Sequence, residues 1–191
     1  CNSSKSEIIE PINDKVLRDT KTIADIKNFY STNISSSNMK TAFTVPSFDF
    51  DKIYEVDTEI DVNAFAVKSD DYDNSNVKWS IGFYGENTEI TDAILFKITV
   101  VSSSETIIEQ YSTSLELLIK VKADSETETV TILETYSSEN GKVADWGRDT
   151  ASCMADLYSN HGWLSVGLII GTGFYPGVAV SAAAACAIHT Y

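Results

Sequence analysis

Apolar residues recur along this chain with two different periods. Between residues 12 and 30, Ile12, Val16, Ile23, Ile26 and Tyr30 follow the roughly 3.6-residue repeat of an α-helix, and Leu17 and Phe29 widen the stripe. Lys15, Arg18, Asp19, Lys21, Asp25 and Lys27 occupy the other side. The pattern predicts a helix over 12–30, ended by the Ser-rich stretch from Ser31 to Ser37.

From 41 to 137 the repeat changes to two, the period of a strand with one buried face. Thr41 to Val45 is β-branched and stops at Pro46. Ile53 to Val67 alternates, with Tyr54, Val56, Ile60, Val62, Ala64 and Ala66 on one side and mostly charged or polar residues on the other. A turn-rich break runs from Asp70 to Asn76, after which Val77 to Tyr84 (Trp79, Ile81, Phe83) and Ile90 to Val101 (Ile94, Phe96, Ile98, Val100) resume the pattern. Leu115–Lys122 and Thr129–Tyr136 flank a turn near Ala123–Glu126, which reads as a hairpin. The segment 104–114 fits both periods, because Ile107, Ile108, Tyr111, Leu115 and Leu118 also match a helix; strand is the preferred reading. Short turns between successive strands require antiparallel pairing.

After the polar stretch Glu139–Lys142 both patterns vanish. Ala151, Met154 and Leu157 suggest a short helix closed at Asn160-His161-Gly162, and Trp163–Ile170 forms a second apolar run. Gly171-Thr172-Gly173-Phe174-Tyr175-Pro176-Gly177 breaks it, and Val178–Ile188 forms a third, alanine-rich run. The expected fold class is therefore α+β: an antiparallel sheet domain with an N-terminal helix (12–138), followed by a small helical hairpin tail (139–191).

Charge sharpens that boundary. The net charge is -14, from 28 acidic and 14 basic residues. The last basic residue is Arg148 and the last acidic one Asp156, so Leu157 to Tyr191 carries no Asp, Glu, Lys or Arg. Seven of the nine glycines lie between Gly141 and Gly177, inside the tail. The acidic balance argues against nucleic-acid partners, which need clustered Lys and Arg to displace counterions. It equally disfavours electrostatic attachment to anionic headgroups.

The three cysteines are Cys1, Cys153 and Cys186. A chain opening on Cys1, followed by the polar Asn2–Glu7, resembles mature bacterial lipoproteins, in which the Cys1 thiol is acylated and residues 1–11 form a tether. With Cys1 so used, an even pair remains, and in an oxidising compartment Cys153 and Cys186 are expected to form a disulfide. Its loop of about 34 residues corresponds to roughly 3–4 kcal/mol of chain entropy. Localisation to the cell envelope, facing the periplasm or the exterior, follows from the same reading.

Chemistry-bearing motifs are sparse. Cys153, His161, Cys186 and His189 are zinc-ligand types, but only Cys186 and His189 have helical ligand spacing, and the disulfide is the stronger reading, so no metal is expected. Asp71, Asp73 and Ser75 begin like a calcium loop, yet Asn76 and Gly82 stand where Gly and Glu are needed. Neither a nucleophile elbow nor a phosphate-cradling loop is present, so neither an enzyme nor a cofactor is expected.

Trp163 to Ile188 gives 26 residues without a charge, but the Gly/Pro break leaves pieces of about 8 and 11, too short to span a bilayer singly. Small residues four apart (Gly167/Gly171, Gly173/Gly177, Ala179/Ala183) suit close helix packing, and Trp163, Phe174, Tyr175 and Tyr191 suit a lipid interface. The stretch from Cys153 through Gly173-Phe174-Tyr175-Pro176 to Cys186 resembles the C-terminal module of bacteriocin-like exported proteins. Among these are precursors similar to the sporulation-delaying killing factor and to halocin-type peptides. The resemblance covers about 40 of 191 residues and rests on composition and the cysteine bracket. It implies a membrane-active peptide presented by the sheet domain and released by a processing protease in Ser137–Lys142. The membrane residues on this reading are Trp163, Gly167, Gly171, Gly173, Phe174, Pro176 and Gly177. The alternative is a cell-surface binding or structural lipoprotein whose hairpin packs on its own sheet.

Overall fold

The structure is a computed structural model, and it describes residues 15–34, 44–136 and 145–188. Eight strands form one sheet in the order β1-β2-β3-β4-β5-β6-β7-β8, each antiparallel to its chain neighbour. They are β1 (Lys15–Val16), β2 (Tyr54–Val56), β3 (Asn63–Lys68), β4 (Val77–Glu86), β5 (Glu89–Val100), β6 (Glu105–Tyr111), β7 (Leu117–Asp124) and β8 (Thr129–Thr135). Helix α1 (Thr20–Asn33) follows β1, and α2 (Asp145–Gly171) and α3 (Pro176–Ile188) close the described chain. The fold class is α+β, and the expected antiparallel meander, N-terminal helix and helical tail are all present.

The first helix begins later than its periodicity suggests. Lys15 and Val16 pair with Glu55 and Tyr54, and Leu17 N–H donates to Ile53 O, so this stretch is spent on the sheet edge. Asp19 then caps the helix: its carboxylate accepts from the Thr22 backbone N–H at 2.9 Å and from the Thr22 hydroxyl at 2.5 Å. The part of the predicted helix over 12–14 lies outside the described residues, as do Cys1 and the tether.

Other corrections concern boundaries. The predicted strand over 41–45 is not formed at Thr44–Val45, which run as irregular chain; 41–43 lie outside the described residues. Ile53–Val67 is split into β2 and β3 by a bend around Glu59–Asp61. Its phase survives, because Val56, Ala64 and Ala66 are buried on one face, with Tyr54, Ile60 and Val62 packed against them. The opposite side, read as polar, also buries Ile53, Phe65 and Val67. The ambiguous 104–114 segment is strand β6, whose Thr106, Ile108 and Gln110 point to one face across from Ala123, Val121 and Ile119 of β7. The β7–β8 turn lies at Ser125–Glu128, where Asp124 Oδ1 accepts from the backbone N–H of Glu126 and Thr127.

Both faces of the sheet are covered, which is why the central strands read as nearly continuous apolar runs. On one face α1 and the segment 44–53 cover β3, β4 and β5, where Ile26, Phe48 and Ile53 meet Phe65, Ile81, Phe83 and Leu95. Phe29 sits edge-on to Phe83 with ring centroids 6.2 Å apart. Beyond α1 this face becomes a charged ladder. Glu109 lies between Lys97 at 3.5 Å and Lys120 at 3.8 Å, and Lys97 also rests over Trp79. The other face carries the tail.

Candidate functional site

The seam between tail and sheet begins with the hairpin itself. The predicted helix end at Asn160-His161-Gly162 is a kink where two helical segments of α2 meet: His161 leaves helical geometry, with φ -133° and ψ 15°. The hairpin turn comes at Gly171–Tyr175. Gly173 (φ 75°) and Phe174 (φ 61°) take left-handed backbone, and Pro176 opens α3, where its fixed φ and missing N–H cost nothing. Gly173 meets the first of these requirements without a Cβ penalty; Phe174 does not, and its N–H donates to Ile169 O at 2.8 Å. Cys153 and Cys186 are bonded, joining α2 to α3. Trp146 Nε1 donates to Ala187 O at 3.0 Å, satisfying a carbonyl of the last helical turn.

Helix α3 is buried along nearly its whole length: Pro176, Gly177, Val178, Ala179, Val180, Ala183, Ala184, Cys186, Ala187 and Ile188 are all inside. It lies over β2–β5, and α2 lies over β7 and β8. Against the two helices together the sheet presents Ala64, Ala66, Tyr84, Ile94, Phe96, Ile98, Ile108, Ile119, Val121 and Ala123. Small residues on both sides let the layers approach closely. Gly82 is the tightest point: a Cβ there would lie 2.9 Å from Val180 Cγ2.

Polar contacts also tie the hairpin to the sheet. Tyr84 Oη donates to Val180 O at 2.9 Å inside the core. Gln110 Nε2 donates to Tyr158 Oη at 2.9 Å, also buried. Ser181 Oγ donates to Asp57 O at 3.0 Å. Tyr72 Oη donates to Phe174 O at the hairpin turn. Burial pushes the phenols of Tyr84 and Tyr72 above the ordinary tyrosine range. Tyr158 is pushed up to about 12 by burial, with the Gln110 hydrogen bond opposing. Ser80 Oγ and Gln110 Oε1 are buried on this face with no hydrogen-bond partner among the described residues.

At the turn, Tyr54, Lys68, Tyr72, Asp73, Phe174, Tyr175 and Pro176 line a cleft of about 220 Å³ between sheet and hairpin. Lys68 Nζ is 2.7 Å from Asp73 Oδ2, and Lys78 Nζ donates to Tyr72 O at 2.7 Å. The Asp71–Ser75 stretch therefore forms a 3₁₀ turn whose Asp73 is an ion-pair partner.

The tail residues singled out in the sequence divide into two sets. Pro176, Gly177, Ala179 and Ala183 are inside, and Trp163 and Phe174 pack partly against the core. Gly167 is covered by the Trp163 ring, 3.2 Å from where a Cβ would stand, whereas Gly171 and Gly173 face open space. The small residue that does govern close packing is Gly82, on the sheet. Its signal was present in β4, where Gly82 and Tyr84 alternate with Ile81 and Phe83 in a strand apolar on both sides. Ligand chemistry at the cysteines is closed, since both sulfurs are in the disulfide; His189 lies outside the described residues. Among the described residues no group of three or more His, Cys, Asp or Glu could hold a metal, and no helix is long and apolar enough to cross a membrane.

Comparison with protein-family models, with curated proteins and with solved structures finds no match to this chain.

Proposed function

We propose that this is an exported, lipid-anchored carrier whose sheet domain holds a membrane-active, bacteriocin-like helical hairpin until proteolysis in Ser137–Lys142 frees it. The observation that carries the reading is α3, a helix without a charged residue that is buried along its length against the sheet. Free in water, that surface would be an aggregation hazard; on the sheet it is kept from solvent. The disulfide gives the hairpin a covalent closure that survives separation from the carrier.

The test uses the whole chain with a site for a sequence-specific protease introduced at Ser137–Lys142. After cutting, the non-reduced hairpin separates from the sheet domain and empties dye-loaded vesicles of bacterial lipid composition. A cut chain that leaves such vesicles intact overturns the proposal.

A second reading is favoured by the polar contacts across the seam, of which Tyr84–Val180 and Gln110–Tyr158 are buried. On it the hairpin is a permanent layer of a cell-surface binding or structural lipoprotein. Hydrogen exchange separates the two. A permanent layer protects the α3 amides to the global stability of the domain, and a releasable one opens at lower cost.

A further inference from the structure

Where the hairpin turns, its two aromatic residues meet polar residues of the sheet. The cleft between them, about 220 Å³, has one wall from each side. Tyr54 of β2 and Lys68 at the end of β3 stand on the sheet side, with Tyr72 and Asp73 of the 3₁₀ turn; Phe174 and Tyr175 stand on the hairpin side. Hydrogen bonds hold both walls before any ligand arrives. Tyr72 Oη donates to Phe174 O, Phe174 N–H donates to Ile169 O at 2.8 Å, and Lys78 Nζ donates to Tyr72 O at 2.7 Å. Fixed walls cut the ordering cost of binding. Lys68 Nζ lies 2.7 Å from Asp73 Oδ2, and the two side chains are 22% and 71% exposed. Tyr175 is 40% exposed. An ion pair and an aromatic side chain are therefore both reachable from solvent at one cleft.

The charges disfavour two classes of ligand. An anion at Lys68 has to displace Asp73 and enter the field of a chain of net charge -14. A cation meets two ammonium groups already set over the Tyr72 ring, Lys78 at 5.2 Å and Lys68 at 5.9 Å from its centroid. A neutral hydroxyl fits the pair without breaking it, because it is both acceptor and donor: it accepts from Lys68 and donates to Asp73. Two adjacent hydroxyls do this side by side. The C–H face of a saturated ring, in turn, suits the negative π face of a tyrosine. We propose that this cleft binds a single neutral pyranose unit, with a vicinal diol on the Lys68–Asp73 pair and a C–H face on Tyr175. The cleft is smaller than the roughly 300–1,000 Å³ of drug-sized sites, which limits it to one ring. The site holds under either reading of the hairpin, since it requires neither release nor lipid.

The experiment titrates the full chain, disulfide intact, with methyl glucoside, methyl galactoside and methyl mannoside, and reads binding by saturation-transfer NMR. At least one of them binds saturably, with a dissociation constant of about millimolar. Sorbitol has the diols without the ring, and cyclohexanol has a ring without the diol; each binds about tenfold more weakly or not at all. Asp73→Ala and Tyr175→Ala each weaken the best pyranoside by about tenfold or more, whereas Glu134→Ala, on strand β8, binds as the wild type does. Asp73 is exposed enough that its variant folds, and an unchanged melting temperature verifies this. A trisaccharide ending in the best pyranose tells the sources apart: it binds equally if the ligand is the end of a glycan and is excluded if it is a free sugar. A wild type that binds none of the pyranosides overturns the inference. So does sorbitol or cyclohexanol binding as tightly as they do, or an Asp73→Ala variant that binds undiminished. Vesicle emptying by the cut hairpin is scored separately, so failure of release and failure of sugar binding are told apart.

Discussion

The Cβ that Gly82 lacks would stand 2.9 Å from Val180 Cγ2 and 2.7 Å from Tyr84 Oη. Neither neighbour has room to withdraw. Val180 is on a buried helix, and Tyr84 is fully buried with its hydroxyl bonded to the Val180 carbonyl. One missing methyl group thus sets how closely the hairpin approaches the sheet. Gly82→Val is expected to lift α3 and destabilise the protein by about 1–3 kcal/mol, the usual cost of overpacking a core. Denaturant unfolding gives the magnitude. Faster proteolytic loss of the tail shows that the seam is what yields.

Tyr84→Phe removes the hydroxyl from the same seam and leaves the ring. The Val180 carbonyl retains its place in the helical ladder of α3, so it is not orphaned. The expected loss is about 0.5–1.5 kcal/mol, the net worth of an ordinary hydrogen bond. Chemical denaturation of the variant checks this; a loss of several kcal/mol would mean that the hydroxyl holds more than this one contact.

Alkaline stability follows from the buried phenols. Tyr84 is raised well above its ordinary value of 10.0 by burial, and Tyr158 to about 12. Below pH 10 both are neutral whether the chain is folded or unfolded, and their contribution is fully present. As pH rises past 10 the unfolded chain gives up these protons first, so stability falls, with the Tyr158 share gone by about pH 12. Unfolding free energy measured from pH 8 to 11 should decline above about pH 10. Tyr84→Phe should flatten that decline, and an unchanged slope would refute the assignment.

Loss of the disulfide should cost about 4 kcal/mol, from chain entropy over a sequence separation of 33 residues. The Cys153→Ser/Cys186→Ser double variant isolates the effect in equilibrium unfolding. If the variant matches the wild type, packing of α2 and α3 on the sheet alone positions the hairpin.

Local pattern was enough to establish a great deal about this protein. The period-two runs located β3 to β8 and the phase of their faces, because strand alternation is a local property of the chain. The disappearance of charge after Asp156 marked the tail, and cysteine arithmetic paired Cys153 with Cys186. Where local signals competed, contacts distant in sequence decided. Val16 fits a helical stripe, but it stands opposite Tyr54 on β2, so the helix waits for the Asp19 cap. Asn160-His161-Gly162 reads as a helix end and does leave helical geometry at His161, but a second helical segment follows at once, with Gly162 packed beside Val130. The seam itself was least legible: Gly82 and Val180 are far apart in the chain, and no periodicity says which surface an uncharged helix will choose. That choice follows from shape, since only the folded sheet brings a missing Cβ, a tyrosine hydroxyl and a row of alanines to one place.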